Sequence, residues 1–131
     1  MEKLFNQISI IFGIAGGAIV SFLGGLDGLI TTLIALMALD YVTGVLKSIY
    51  NKKLSSEIGI KGIIRKVLML IVIGVTWLIQ NNLGIPAIRE MVIMFFIANE
   101  SISLLENIAQ MGIKIPNKLT SILLQLREKE E

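Results

Sequence analysis

Long apolar runs separated by short polar segments are the main pattern of this chain. No charged residue lies between Leu4 and Leu26, nor between Val67 and Ile88. These runs reach the roughly 20 residues that a helix needs to cross about 30 Å of hydrocarbon. The pattern predicts four membrane-spanning helices, over residues 5–23, 29–46, 67–83 and 91–110.

The predicted fold is therefore an all-α integral membrane bundle that forms a single domain over 1–131. The alternative is a bundle of three spans, in which the first segment is re-entrant or unstable in the membrane. After Gly112, Pro116 favours the start of one more helix. That segment, with its charged tail, covers 113–131 and is predicted to be a short amphipathic helix on the membrane or against a partner helix. Its apolar stripe comprises Leu119, Ile122, Leu123 and Leu126.

Composition supports a membrane protein and excludes several kinds of chemistry. Hydrophobic residues make up 54% of the chain, and the mean hydropathy of +0.79 is too high for an ordinary soluble domain. The sequence contains no Cys and no His, which excludes disulfides, thiolate metal sites and catalysis by either residue. With no nucleophile–base arrangement and no metal cluster, we expect neither an enzyme nor a bound cofactor.

A basic segment between the second and third predicted spans indicates the topology. Six cations oppose the single acid Glu57 in the expected loop over 47–66. Short loops this basic stay in the cytoplasm, so four spans would place both termini there, and Lys114 and Lys118 agree. The net charge of +2 gives no reason to expect nucleic acid. The cations are Lys47, Lys52, Lys53, Lys61, Arg65 and Lys66.

Polar residues follow one face of the fourth predicted span, with Glu100 at the edge of that face. Nine strongly apolar residues of this span favour insertion by roughly 3 to 5 kcal/mol, whereas two carboxylates oppose it by roughly 5 to 7. The helix is marginal alone in lipid, so we interpret the face as lining a pore or sealing a polar contact in the bundle. The alternative is that Glu106 lies among the headgroups and only Glu100 is buried. The face comprises Asn99, Glu100, Ser103, Glu106, Asn107 and Gln110.

Two further features of the spans are candidates for function. Asp40 is an acid inside the second span, which is a functional candidate by default, although pairing with the nearby cations is an equal alternative. Small residues recur at every fourth position from the first span onward, which predicts a helix-packing or oligomer face. They are Gly13, Gly17, Ser21 and Gly25.

Two motifs resemble the toxin secretion/phage lysis holin family. They are LDYVTGVLKSIYNKKLSS with the following KGIIRK, and ANESISLLENIAQMGIKIP. Their order around a hydrophobic span is fairly specific, and the resemblance extends from Leu39 to about Leu126. Matching the motifs points to Asp40, Thr43, Gly44, Asn99, Glu100, Ser103, Glu106, Asn107, Gly112 and Pro116.

The resemblance implies a small phage or prophage protein of the bacterial cytoplasmic membrane. Such a holin forms a homo-oligomer in the lipid bilayer and opens holes abruptly. The holes release or activate a cell-wall hydrolase (an endolysin), or allow toxin secretion, without necessary contact between holin and hydrolase. Two other classes remain open from the residues themselves: a small ion or proton channel or transporter subunit, which would use the same acids as a relay, and a non-conducting membrane adaptor.

Overall fold

The computed structural model of the chain describes residues 1–130. Within that range it contains five helices and no strand, which confirms the all-α class. The first four helices are long and apolar enough to cross a membrane, judged by length and composition. The amphipathic character of the last helix stays a prediction, and residue 131 of the predicted tail lies outside the described residues. The helices are α1 Glu2–Phe22, α2 Gly28–Tyr50, α3 Ser56–Leu83, α4 Ile88–Gln110 and α5 Asn117–Glu130.

Polar caps and glycines set the helix ends. The Asp27 carboxylate accepts a hydrogen bond from the Ile30 amide at 3.0 Å and begins α2. The Ser55 hydroxyl accepts one from the Ile58 amide at 3.2 Å and begins α3. These contacts satisfy amides that have no partner inside their own helix. Gly84 ends α3 in the left-handed conformation, with φ of 68°.

The basic segment is mostly helical, so the expected loop over 47–66 is wrong in extent. The linker between α2 and α3 covers only 51–55. Lys47 lies in the last turn of α2, and Lys61, Arg65 and Lys66 belong to α3. The helix starts early because Ser55 caps it and no proline interrupts the isoleucine-rich stretch that follows.

Helices α2, α3 and α4 form the core of the bundle, and α4 also packs against α5. The core lies in the half of the bundle nearest the α1–α2 and α3–α4 turns. Partly buried aliphatic and aromatic side chains, including Phe96 and Ile97, pack around it. The fully buried cluster comprises Leu23, Ile30, Leu33, Met37, Ile73 and Ile93.

Helix α1 has no buried residue and joins the bundle only near its end. There the Phe22 ring lies so close to α3 that a Cβ on Gly74 would overlap it. Gly13 and Gly17 have nothing from elsewhere in the chain within 4 Å of a Cβ position. Gly25 lies in the turn beyond α1. Gly13 and Gly17 therefore pack against no other described helix of this chain, whereas the Gly25 carbonyl accepts a hydrogen bond from Arg89 of α4. The role of the small-residue stripe as an oligomer face stays a prediction.

Candidate functional site

Three charged residues stand on the buried faces of α2, α3 and α4. Each lies seven residues from a core residue of its own helix, and seven residues are close to two helical turns, so the charged and apolar side chains share one face. Asp40 follows Leu33 in this way on α2, and Glu100 follows Ile93 on α4. On α3, which runs in the opposite direction, Lys66 precedes Ile73.

The Lys66 ammonium bridges the other two helices. Its Nζ donates to Asp40 Oδ2 at 2.7 Å and to Glu100 Oε2 at 2.5 Å. The side chains of Lys66, Asp40 and Glu100 are 15%, 13% and 7% exposed. We call these three residues the charged triad; it links all three core helices through one cation.

Asn107 extends the network along α4. Its Nδ2 lies 3.2 Å from Asp40 Oδ1 and 3.1 Å from the Thr43 hydroxyl oxygen, and donates to both. The Thr43 hydroxyl in turn donates to backbone carbonyls of its own helix. Buried polar groups need such partners, because an unpaired one keeps the cost of leaving water. Asn107 therefore fixes the second oxygen of the Asp40 carboxylate.

The charged triad lies near the middle of the helices. Asp40, Lys66 and Glu100 stand ten residues from Tyr50, Ser56 and Gln110, which end or begin their helices at the same side of the bundle. At 1.5 Å per residue, this places the triad about 15 Å from that side. Asp40 and Glu100 are each within one residue of the midpoint of a 23-residue helix. Charges at such a depth are expensive in lipid and are kept where they pair or meet water.

The triad is not balanced in charge. Two carboxylates face one ammonium, which leaves a formal charge of −1 when all three groups are ionised. Removing one partner of a buried ion pair is far more costly than replacing the whole pair, because the remaining charge has no compensation. The triad can therefore stabilise the contacts among α2, α3 and α4. Its stabilising effect depends on both carboxylates keeping their partners.

The predicted polar face of α4 is divided in the structure. Glu100 and Asn107 are buried against α2 and α3, whereas Glu106 and Gln110 are exposed. The half-buried Asn99 and Ser103 lie between these two groups. Together with Glu106, Arg65 and Arg127, they line a cleft of about 390 Å³ that reaches Asp40 and Glu100.

At the other end of the bundle, Arg89 joins α4 to the α1–α2 turn. Its side chain is 1% exposed. Nε donates to the Leu23 carbonyl at 2.5 Å, one terminal nitrogen donates to Asp27 Oδ2 at 2.8 Å, and the other donates to the Gly25 carbonyl at 3.2 Å. The guanidinium also lies 6.0 Å from the centre of the Trp77 ring. We call this set of contacts the Arg89 clamp.

Asp27 shows the electrostatic effect of the Arg89 clamp. The hydrogen bond from the Arg89 guanidinium, together with the one from the Ile30 amide, lowers the pKa of the Asp27 carboxyl below its ordinary value of 3.8. Both contacts favour the ionised form. Asp27 therefore stays charged while it caps α2 and holds Arg89.

Sequence reasoning did not assign Lys66 to the charged triad and did not single out Arg89. The signal for Lys66 was the helical phase, because extending the third apolar run backwards places it on the same face as Ile73. The signal for Arg89 was an isolated cation at the end of a span whose neighbouring turn carries Asp27.

Within residues 1–130, no group of three or more acids has a geometry that could hold a metal ion.

Comparison with known proteins gives a consistent set of relatives. A family model described as the bacteriophage holin family matches residues 17–128. An uncharacterized protein of Listeria monocytogenes is 40% identical over 121 residues, covering 90% of this chain and 86% of the relative. An uncharacterized 14.9 kDa protein in the nagH 3′ region of Clostridium perfringens is 39% identical over 134 residues, covering 99% and 100%.

A phage protein is among the relatives as well. The protein named probable holin of Bacillus phage phi105 is 35% identical over 92 residues, which cover 70% of this chain and 68% of the relative. No solved structure matches the chain. The matched region contains all of α2, α3 and α4, and therefore the whole charged triad.

Proposed function

Because this chain belongs to the bacteriophage holin family, we propose that it oligomerises in the bacterial cytoplasmic membrane and opens holes there at a set time. The holes release or activate a cell-wall hydrolase, or export a toxin, without necessary contact between the two proteins. The basic residues at the α2–α3 side of the bundle support an orientation with that side, and both termini, in the cytoplasm. The observation that carries the proposal is the charged triad at the middle of helices that are otherwise apolar.

The triad acts as the lock of the closed state in this proposal. While Lys66 pairs with Asp40 and Glu100, the carboxylates are hidden from lipid and the bundle is stable in the bilayer. When the chain reaches a threshold density, helices of different copies associate through the small-residue stripe, whose α1 members Gly13, Gly17 and Ser21 are exposed. The polar face of α4 then turns toward a shared lumen, where water removes the cost of burying the carboxylates.

The membrane potential acts on the same charges. Moving one elementary charge across the full potential is worth about 2.3 kcal/mol per 100 mV. A triad with a formal charge of −1 is subject to that field near the middle of the bilayer. Depolarisation therefore changes the balance between closed and open states, and hole opening by some copies promotes opening by the rest.

The proposal is tested by induced expression in bacteria, with membrane potential and release of a cytoplasmic reporter enzyme followed together. We expect a silent interval and then sudden depolarisation with enzyme release. Depolarisation without enzyme release would indicate a small channel or a holin with small holes, in place of a holin with large holes. If neither signal changes while the protein is present in the membrane, the hole-forming function is refuted and an adaptor becomes the better hypothesis.

The role of the triad is tested by a matched pair of variants on α4. Glu100→Gln leaves Lys66 with one carboxylate, so the buried network becomes neutral and the closed state is favoured; we expect later opening. Glu106→Gln removes an equal charge from an exposed position and should change the opening time less. If both substitutions together leave timing and hole formation unchanged, the proposed lock is wrong.

A further inference from the structure

A second cavity lies beside the charged triad, between α2 and the first half of α3. It has a volume of about 210 Å³, which is below the range of about 300–1,000 Å³ typical of sites for drug-sized ligands. Its deep end reaches Asp40, Lys66 and Asn107, and its outer end is formed by Leu54 and Ser55 of the short linker. The cavity therefore has room for a small polar group that enters from the side of the basic linker.

Two cations that form no ion pair with any described residue line this cavity. Lys47 comes from the last turn of α2 and Arg65 from α3. Among the described residues, neither forms an ion pair, whereas Lys66 is already occupied by both carboxylates of the triad and Lys61 pairs with Glu57. Lys47 is also half-buried. A cation held partly away from water without a counter-charge favours an anion in the space that it faces.

Hydroxyl groups complete the lining. Tyr41 packs on the glycine face of α3, because a Cβ on Gly59 would lie 3.2 Å from the Tyr41 hydroxyl and one on Gly62 would lie 3.5 Å from its ring. Three serines also face the cavity: Ser48 from α2, Ser55 from the cap of α3 and Ser103 from α4. The Ser48 hydroxyl already donates to the Gly44 carbonyl at 3.0 Å. Hydroxyls and cations together are the donors that a phosphate group requires.

We propose that this cavity binds the phosphate of an anionic lipid headgroup. The lining contains the two unpaired cations Lys47 and Arg65, whereas its third cation, Lys66, is already paired with Asp40 and Glu100. The apolar side chains of Val45, Leu54 and Ile58 border the same space and suit the glycerol and upper acyl carbons that accompany a lipid phosphate. The proposal rests on the membrane location in the proposed function, and it requires no hole formation.

The test uses the purified full-length chain in neutral detergent micelles, with bound lipid counted by native mass spectrometry. The probes are short-chain phosphatidylglycerol, short-chain phosphatidylcholine and inorganic phosphate. We expect phosphatidylglycerol to bind as a single tightly held molecule and phosphatidylcholine to bind weakly. If inorganic phosphate displaces phosphatidylglycerol, the site takes free phosphate as well; if it does not, the lipid is the source of the group.

Matched variants separate the cavity from the general basic charge. Lys47→Gln with Arg65→Gln should weaken phosphatidylglycerol binding about tenfold or more, since each loss removes a charge-assisted hydrogen bond. Lys52→Gln with Lys53→Gln removes the same charge from linker residues that do not line the cavity and should leave binding within about twofold. Lys47→Arg with Arg65→Lys keeps both charges and should retain binding, which controls for misfolding.

Equal loss in the two double-glutamine variants, or equal binding of phosphatidylcholine and phosphatidylglycerol, would overturn the proposal. These outcomes are independent of lysis. A chain that binds phosphatidylglycerol through Lys47 and Arg65 but never releases the reporter enzyme would contradict the proposed function and leave the lipid site standing.

Discussion

Replacing Lys66 with methionine is the most direct test of how the charged triad stabilises the bundle. Methionine keeps the length and much of the apolar stem of the side chain but removes the ammonium. Asp40 and Glu100 would then remain buried without the cation that stands 2.7 Å and 2.5 Å from them. Breaking a buried ion pair in this way costs about 3–5 kcal/mol, and here one substitution leaves two carboxylates without their partner.

The same substitution at Lys61 is the control. Lys61 also lies on α3, and its ion pair with Glu57 has both side chains about three-quarters exposed, at 73% and 76%. Exposed pairs of this spacing on a helix contribute about 0.3–0.5 kcal/mol. The two lysine variants should therefore differ by at least about 2.5 kcal/mol, which is about 60-fold in an unfolding equilibrium constant.

The assay is unfolding of the reconstituted chain by SDS in mixed micelles, followed by the fluorescence of Trp77, the only tryptophan. A third variant, Lys66→Met with Asp40→Asn and Glu100→Gln, removes all charge from the triad. It should recover most of the stability that Lys66→Met loses, because replacing a whole buried ionic network is often neutral or stabilising. Equal unfolding midpoints for the two lysine variants, or a triple variant as unstable as Lys66→Met, would refute the account of the triad given above.

Two further predictions concern the end of the bundle that holds α1. Gly74→Ala should destabilise the chain and increase hydrogen exchange at the end of α1, because the added Cβ would occupy the position of the Phe22 ring. Gly13→Ala is the control: nothing lies within 4 Å of its Cβ position, so it should be neutral or stabilise the chain by up to about 1 kcal/mol. Equal effects of the two substitutions would contradict the packing of Phe22 on Gly74. The lowered pKa of Asp27 contributes stability that is present above its ordinary value of 3.8 and is lost as the pH falls through the lower folded value. Asp27→Asn should flatten the pH dependence of SDS unfolding below about pH 4, and an unchanged slope would show that the hydrogen bond from Arg89 does not shift this group.

The sequence predicted the helices well because their signals are local. Uncharged runs of about 20 residues marked two of the four spans, those of α1 and α3. The start of α3 was less accurate. Counting cations between apolar runs treats every lysine as part of a loop, whereas the backbone continues as helix and carries Lys66 into the bundle.

The contacts between helices could not be obtained in the same way. A face of polar residues on α4 was visible in the sequence, but the direction it faces depends on which helix lies beside it. Glu100 and Asn107 turned out to meet α2 and α3, and Glu106 did not. The Arg89 clamp depends on three backbone and side-chain acceptors in a turn more than sixty residues earlier in the chain. The periodicity of polar and apolar residues within one helix does not show which distant segment that helix will contact.

The free energy of inserting α4 into lipid depends on its partners in the bundle. Alone, this helix was marginal in lipid because two carboxylates offset the gain from its apolar residues. In the structure, one carboxylate is paired with Lys66 from α3 and the other is exposed near the end of the helix. The bundle therefore gives Glu100 a cationic hydrogen-bond donor, which lipid cannot supply. The stability of α4 in the membrane thus depends on its contacts with α2 and α3.

A helix that is stable only through such contacts can exchange them for other polar surroundings at small cost, provided that water or another copy supplies equivalent partners. That exchange is what the proposed opening of holes requires of the bundle.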